Sequence, residues 1–292
     1  MKNEHTFKFS RLRLPWALKV HCWGGLGSQL FALAMVEELS RAGFPRKIEL
    51  VLHNSGVTRR ESEIDQLSPQ IKISKVQDFG QMKLHDSAQL KKQGFQLRFL
   101  IIFFFRKLGV VIFSEDISHI RPWTLQLRSH YSHQRISRET LNLVGEMLKV
   151  SPSRKFPRAS SALHYRLGDL LTLAEKAYVL PERLIPVLNK IKESGDIHVD
   201  VFSDSLDVAL GKLQSIDPSA IYNLYEISAW DTISTLSMYK NLVATNSKIG
   251  IWGILLRLTH DLDGLIFAPN ELKFSFEVIL DDTSQIDRII FY

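Results

Sequence analysis

Ala17-Leu18-Lys19-Val20-His21-Cys22, followed by Trp23-Gly24-Gly25-Leu26-Gly27-Ser28, is the stretch whose reading decides the fold. The first six residues read as a strand, and the next six as a tight glycine loop. Residues 29–43 continue as a helix: Leu30, Leu33, Ala34, Val36 and Leu39 fall near helical spacing, and Gly43 stops it. Residues 47–52, Lys-Ile-Glu-Leu-Val-Leu, read as a second strand. Strand, glycine loop, helix and strand make a βαβ unit. Such a loop aims backbone N–H groups and a helix N-terminus at an anion or a closely approaching ligand, which makes Gly25, Gly27, Ser28 and Gln29 candidate site residues. A dinucleotide fingerprint is not met, because Gly25 and Gly27 are followed by Leu30 where the third glycine belongs.

On either side of this unit the sequence is less uniform. Residues 1–16 look like a loosely attached basic arm, and residues 64–108 carry no decisive period. Residues 109–113 are a plausible strand, 138–150 a helix, and 151–158, with Pro152 and Pro157, the best linker. The second half alternates regularly. Strands are expected over 162–165, 197–202, 221–224, 241–245 and 265–268, and helices over 181–193, 206–213, 229–239 and 250–257. Alternation of this kind argues a parallel, doubly wound sheet. The expected architecture is α/β, with two Rossmann-like parallel-sheet domains, 1–155 and 156–292, facing a cleft.

Three strand ends in the second half carry polar residues. One is Leu163-His164-Tyr165-Arg166-Leu167-Gly168-Asp169; the others are Ser203-Asp204 and Asn246-Ser247. Each follows an apolar run, so all should emerge at one carboxyl edge, where ligands of α/β folds gather. A fixed guanidinium, a carboxylate able to accept from a base, and small hydroxyl and amide groups suit a nucleoside diphosphate bound without a metal. A surface Arg–Asp pair and ordinary helix caps explain the same residues one at a time. Capping and ligand binding are compatible.

Composition narrows the partners. The chain has 292 residues, 45% hydrophobic and 23% charged, as in a folded globular protein. Cys22 is the sole cysteine, which excludes a disulfide framework and a cysteine-based metal site. The ten histidines show no ligand spacing, and Asp261-Leu262-Asp263-Gly264 reads as an ordinary turn, so no metal is expected. Residues 1–110 hold 18 Lys and Arg against 9 Asp and Glu, the remainder 19 against 22. A basic first half suits an acidic partner, such as anionic lipid headgroups, phosphate or nucleic acid, and with no nucleic-acid motif in the chain, nucleic acid is the weakest of the three. No secretory h-region is visible near Met1. The most apolar run, residues 99–105, is far shorter than the roughly 20 residues that span a bilayer. The wider stretch 95–113 has the composition of a membrane-interface segment, but a buried helix or strand of the first domain is the favoured reading of it. The expected location is cytoplasmic, with peripheral contact at the cytoplasmic face.

Four blocks, in order, resemble family 11 glycosyltransferases, the α-1,2-fucosyltransferases. Gly24-Gly25-Leu26-Gly27-Ser28-Gln29-Leu30-Phe31 is similar to their Gly-Gly-Leu-Gly-Asn-Gln-Leu-Phe loop, and His164-Tyr165-Arg166-Leu167-Gly168-Asp169 to their His-x-Arg-Arg-x-Asp motif. Phe202-Ser203-Asp204 resembles Phe-Ser-Asp-Asp, and Asn246-Ser247-Lys248-Ile249-Gly250-Ile251-Trp252-Gly253 their Trp-rich block. The resemblance implies a GT-B fold and an inverting, metal-independent transfer of L-fucose from GDP-fucose to a glycan or lipid-linked oligosaccharide, as in surface polysaccharide synthesis. It gives Arg166 the leaving diphosphate, His164 and Asp204 the nucleoside, and Ser203, Asn246 and Ser247 the pocket lining. Asp169 and Glu175 are the candidate general bases, and Asp169 serves equally well to hold Arg166. The chain departs from the pattern at Ser28, Leu167, Ser205 and residues 248–251. These departures favour, as alternatives, a catalytically impaired sugar- or nucleotide-binding protein or a transferase for a different nucleotide sugar.

Overall fold

The computed structural model describes residues 15–53, 63–64, 72–76, 104–148, 159–173, 178–260, 262–280 and 282–292. The chain forms two compact units, Met1–Thr140 and Leu141–Tyr292.

In the first unit the βαβ reading holds: strand β1 is Leu18–Trp23, helix α1 is Leu26–Arg41 and strand β2 is Ile48–His53. Strands β3 (Lys72–Val76), β4 (Val111–Ile112) and β5 (Gln126–Arg128) complete a parallel sheet of order β3-β2-β1-β5-β4. The chain therefore runs outward from β1 to β3 and then returns to the other side of β1. The strand expected over 109–113 contracts to two residues for a local reason. Gly109, at φ +70, and Val110 close a turn by donating their N–H groups to the carbonyls of Arg106 and Phe105. Helix α1 carries a buried face of Leu26, Leu30, Phe31, Leu33, Ala34 and Leu39, whose removal from water stabilises the unit by about 1.5–3 kcal/mol for each large side chain.

Helix α2 (Arg138–Met147) leads into the second unit. There strand β6 (Ser161–His164) is followed by a short helix α3 (Leu170–Leu173), a 3-10 turn (Pro181–Leu184) and α4 (Ile185–Glu193). Next come β7 (His198–Phe202), α5 (Leu206–Ile216), β8 (Ile221–Tyr225), α6 (Ala229–Leu236) and β9 (Asn241–Ala244). Helix α7 (Lys248–Thr259), β10 (Ile266–Ala268), α8 (Lys273–Ile279) and β11 (Ile289–Phe291) close the chain. The sheet is parallel throughout, in the order β11-β10-β9-β6-β7-β8. Strand β6 is central, and the winding reverses between β6 and β9. That is the doubly wound Rossmann order. The first sheet is likewise parallel with β1 at its centre, but β5 and not β4 lies beside β1. Both units are parallel α/β sheets, the pair of domains a GT-B-like architecture requires.

The core of the second unit runs through Leu163, Val199, Val201, Val243 and Phe267 of the sheet to Leu184, Val187, Leu188 and Ile191 beneath it. One buried cation is part of this scaffold. Arg257, near the end of α7, is fully enclosed and donates to the carbonyls of Tyr239 (2.7 Å), Lys240 (3.2 Å), Leu262 (2.8 Å) and Asp263 (3.2 Å). The guanidinium thereby satisfies backbone acceptors at both ends of the connection into β9 and β10, a case where burial is tolerated because hydrogen bonds replace water.

Candidate functional site

All six strands of the second sheet point the same way, so β6, β7 and β9 end at a single carboxyl edge. His164 lies in register with Phe202 of β7 and Ala244 of β9. The loops that follow, 165–169, 203–205 and 245–247, are therefore neighbours, as the positions of His164, Arg166, Asp169, Ser203, Asp204, Asn246 and Ser247 in the sequence suggest. Helix α7 starts at the reversal between β6 and β9, where ligands of open α/β sheets bind.

Arg166 is held by carboxylates on two sides. Its Nη2 pairs with Asp169 Oδ1, and its Nη1 lies 3.1 Å from Asp204 Oδ2. The three side chains are about a quarter exposed, between 22% and 30%. Asp204 also accepts the Leu167 N–H at 2.9 Å through Oδ1, so this one carboxylate fastens both the loop and its cation. The contact is so close that a side chain at Gly168 would displace the carboxylate: at φ +20, a Cβ there would sit 2.1 Å from Asp204 Oδ2. Leu167, standing where the resemblance has a second arginine, is buried in the core and points away from this edge's polar groups.

Two residues that the sequence reading passes over complete the loop. Thr245, fully buried, accepts the Arg166 N–H at 2.9 Å and donates to the His164 carbonyl at 3.0 Å, bridging β6 to β9 across the reversal. Tyr165 donates its hydroxyl to the Val179 carbonyl at 2.9 Å, tying the loop to the segment ahead of α4. A threonine ending an apolar strand just before Asn246-Ser247 is the available signal for the first. Tyr165 carries none, because its partner is a backbone carbonyl.

His164 is 7% exposed, and its Nδ1 is buried without a hydrogen-bond partner. Burial pushes its pKa down to about 4; the nearby Asp204 carboxylate opposes the shift and Arg166 adds to it. The ring is neutral at physiological pH. It faces the first turn of α7, where a Cβ on Gly250 would lie 3.4 Å from Nδ1 and 2.9 Å from Ala244 Cβ. Only glycine lets the helix start this close to the sheet.

The two longer helices that begin at this edge differ in electrostatics. Helix α5 opens with Ser205, whose hydroxyl donates to the Asp204 carbonyl at 2.9 Å and does not cap the helix, with Asp207 in its first turn and Asp204 just ahead. Ser203 Oγ accepts the Ser205 N–H at 3.1 Å and is engaged in that turn. Helix α7 opens with Ser247, whose hydroxyl accepts the Ile249 N–H at 3.1 Å, with Lys248 at its first position and no acidic residue in the first turn. No carboxylate of its own opposes its positive end dipole, so of the two helix starts it is the one suited to an anion. Asn246 is exposed at the tip of the same loop. Of the residues in the Trp-rich block, Ile251, Trp252 and Gly253 are buried inside α7: they pack the helix and do not line the edge.

The glycine loop of the first unit is shorter than expected. Helix α1 begins at Leu26, because Ser28 and Gln29 both donate to the Gly25 carbonyl, at 2.9 and 3.2 Å. Gly27, Ser28 and Gln29 therefore belong to the first turn of the helix, and the loop proper is Gly24, at φ +100, with Gly25. Gln29 is turned inward. Its Nε2 donates to the Gly24 carbonyl at 3.1 Å, and its Oε1 accepts from the backbone of Glu63 at 2.9 Å and Ile64 at 3.3 Å. Helix α1 has no acidic residue in its first turn and no side-chain cap at Gly25, so its positive end dipole meets the end of β1 with no carboxylate of its own against it. Beside it, His53 stacks on Trp23 with ring centroids 4.4 Å apart and hydrogen-bonds His21 at 2.8 Å.

Glu175 lies outside the described residues. Among the described residues no group of three or more His, Cys, Asp or Glu side chains is arranged to hold a metal ion, and no helix is long and apolar enough to cross a membrane.

No family model matches this chain, and no curated protein matches its sequence. Solved structures do resemble its architecture. A glycosyl transferase family 9 protein from Veillonella parvula matches over 97% of this chain and 88% of its own, at 11% identity and a TM-score of 0.47. POFUT1 in complex with GDP-fucose matches over 87% of this chain and 98% of its own, at 12% identity and 0.44. The Escherichia coli heptosyltransferase WaaC with ADP matches over 87% of each chain, at 10% identity and 0.41.

Proposed function

We propose that this protein is a glycosyltransferase that moves a sugar from a nucleoside diphosphate donor to an acceptor hydroxyl. The donor favoured by the motif resemblance is GDP-fucose, and the transfer is inverting and metal-independent. The observation that carries the proposal is the guanidinium of Arg166, held at the winding reversal of the second sheet between Asp169 and Asp204, beside a helix start free of acidic residues. In the proposed reaction an acceptor hydroxyl attacks the anomeric carbon, and the bond from that carbon to the β-phosphate oxygen breaks. The proton passes to a base, and the electron pair leaves with the diphosphate. Negative charge grows on that leaving group, and the N-terminus of α7 with Arg166 stabilises it without a metal. Asp169 and Asp204 act as positioning residues that fix the guanidinium's plane. His164, neutral and enclosed, offers a ring nitrogen to the donor as a hydrogen-bonding group.

The trio Arg166, Asp169 and Asp204 carries one positive and two negative charges, and buried Leu167 supplies no second cation. That observation favours a second reading, a protein that binds a nucleotide sugar without turning it over. Product formation from GDP-fucose and other nucleotide sugars, across an acceptor panel and in the presence of chelator, separates the two. Transfer is expected in the unmodified protein, with a loss of about 10²–10³-fold in Arg166→Ala, the range seen when an oxyanion-stabilising group is removed. Turnover that survives this substitution overturns the role given to Arg166. GDP binding with no turnover of any donor establishes the second reading.

A further inference from the structure

We infer that the exposed face of the first unit built by residues 104–123 is a docking surface for an anionic lipid bilayer. This goes beyond the proposed reaction, because it concerns where the protein works and not what it transfers. The face holds an open groove of about 430 Å³ whose lining, among the described residues, includes Arg106, Lys107, His119, Arg121 and Trp123, and no carboxylate. Large apolar side chains stand in solvent around it: Phe104 is 59% exposed, Phe105 40%, Leu108 48% and Trp123 47%.

The local structure keeps these groups on the surface. Trp123 Nε1 donates to the Leu108 carbonyl at 2.8 Å, so its ring is fixed at the rim with its polar atom satisfied. Arg106 lies over the Phe113 ring, 4.7 Å from its centre, which holds the cation beside the groove. Of the carboxylates nearest in sequence, Glu115 is turned to Ser129 Oγ, from which it accepts at 2.7 Å, and to the His133 N–H. Asp116 caps the turn Ile117–His119 through the Ser118 N–H at 2.8 Å and lies 4.0 Å from His119 Nε2, so it offsets that ring and leaves Arg106, Lys107 and Arg121 as the cations that carry the groove's charge.

A soluble phosphate would account for the cations but not for two solvent-exposed phenylalanines. An apolar protein partner would account for the phenylalanines but not for a carboxylate-free basic groove. A bilayer interface with anionic headgroups accounts for both, taking the aromatic side chains at the headgroup boundary and the cations at the phosphates. The excess of 18 basic over 9 acidic residues in positions 1–110 acts in the same direction at longer range.

The test is co-sedimentation of the full chain with phosphatidylcholine vesicles and with phosphatidylcholine vesicles carrying phosphatidylglycerol, at low and high salt. Binding is expected to the anionic vesicles only, and to weaken with salt. Each basic side chain near such a surface raises partitioning by about fivefold, so R106A/K107A should lose roughly twenty-five-fold. Phe104→Ser/Phe105→Ser should lose at least about tenfold, because the inserted apolar area is removed. A charge-matched control on exposed lysines of the second unit, Lys190→Ala/Lys240→Ala, should bind as the unmodified protein does. Equal melting temperatures across these variants confirm folding without reference to any enzymatic activity. No binding to anionic vesicles at low salt, or equal losses in the control, overturns the inference. So does stabilisation by inorganic phosphate without vesicle binding, or a dimer in sedimentation that the phenylalanine substitutions disperse, since these outcomes assign the face to a soluble anion or a second copy.

Discussion

Gly168 and Asp204 show how little room the proposed site has. Gly168→Ala puts a methyl group against the carboxylate that holds both Leu167 and Arg166. The variant should be destabilised by about 1–3 kcal/mol, as an overpacked position is. Nucleotide affinity should fall further than stability explains, because the displaced Asp204 no longer orients Arg166; thermal melting with and without GDP separates the two effects. His164 makes a different prediction. Its folded pKa of about 4 lies below its ordinary value of 6.5, so between those values the unfolded chain takes up the proton and the folded chain does not. The stability it contributes is complete above about pH 6.5 and is lost as pH falls toward 4. Unfolding free energy measured across this window should drop by up to a few kcal/mol in the unmodified protein. The drop should be smaller in His164→Gln, and identical slopes in the two would contradict the enclosure of the ring. His260, whose pKa is also lowered, remains in both proteins and cancels in the comparison.

Helix α7 is the element on which the edge depends, and glycine chemistry tests its placement. In a helix, alanine in place of glycine normally gains about 1 kcal/mol. Gly211, inside α5, has nothing within 4 Å of where a Cβ would sit, so Gly211→Ala should stabilise by about 1 kcal/mol. At Gly250 a Cβ would press on Ala244 at 2.9 Å and on His164, and overpacking of about 1–3 kcal/mol outweighs the same gain. Gly250→Ala should therefore destabilise and weaken GDP binding, and stabilisation at both positions would contradict the tight seat of α7. Much of this element plan is legible in the sequence. The apolar residues Ala162 and Leu163, Val199, Val201 and Phe202, and Leu242 to Ala244 are packed into short segments that give way to polar loops, which is why β6, β7 and β9 can be placed within a residue or so. Strands β5 and β11 give no such signal. Each has three residues, too few for a period, and Gln126 and Arg128 flank the single apolar Leu127 of β5. The start of α1 is hidden for another reason: glycines suggest a loop, whereas Gly27 is tolerated in a first turn whose N–H groups already reach Gly25.

At the scale of the whole molecule, the order β8-β7-β6-β9-β10-β11 makes the second unit a complete doubly wound sheet, and the proposed site lies at its reversal point, where ligands of open α/β sheets gather. The sequence locates the strand ends but not their partners. That Arg166 is flanked by both Asp169 and Asp204, and backed by Thr245, follows from which strands are neighbours, and strand order is not written in local composition. It is the same information that distinguishes the two helix starts, one acidic and one basic, on which the proposed placement of a diphosphate at α7 rests. Calorimetric titration of GDP in the presence of a chelator, into the unmodified protein and into Arg166→Ala, tests this most directly. Saturable binding without metal is expected, with an affinity loss of about 10–100-fold in the variant, equivalent to the roughly 1.5–3 kcal/mol of one charge-assisted contact. No heat of binding to the unmodified protein, or the same affinity in both, would contradict a diphosphate held at Arg166.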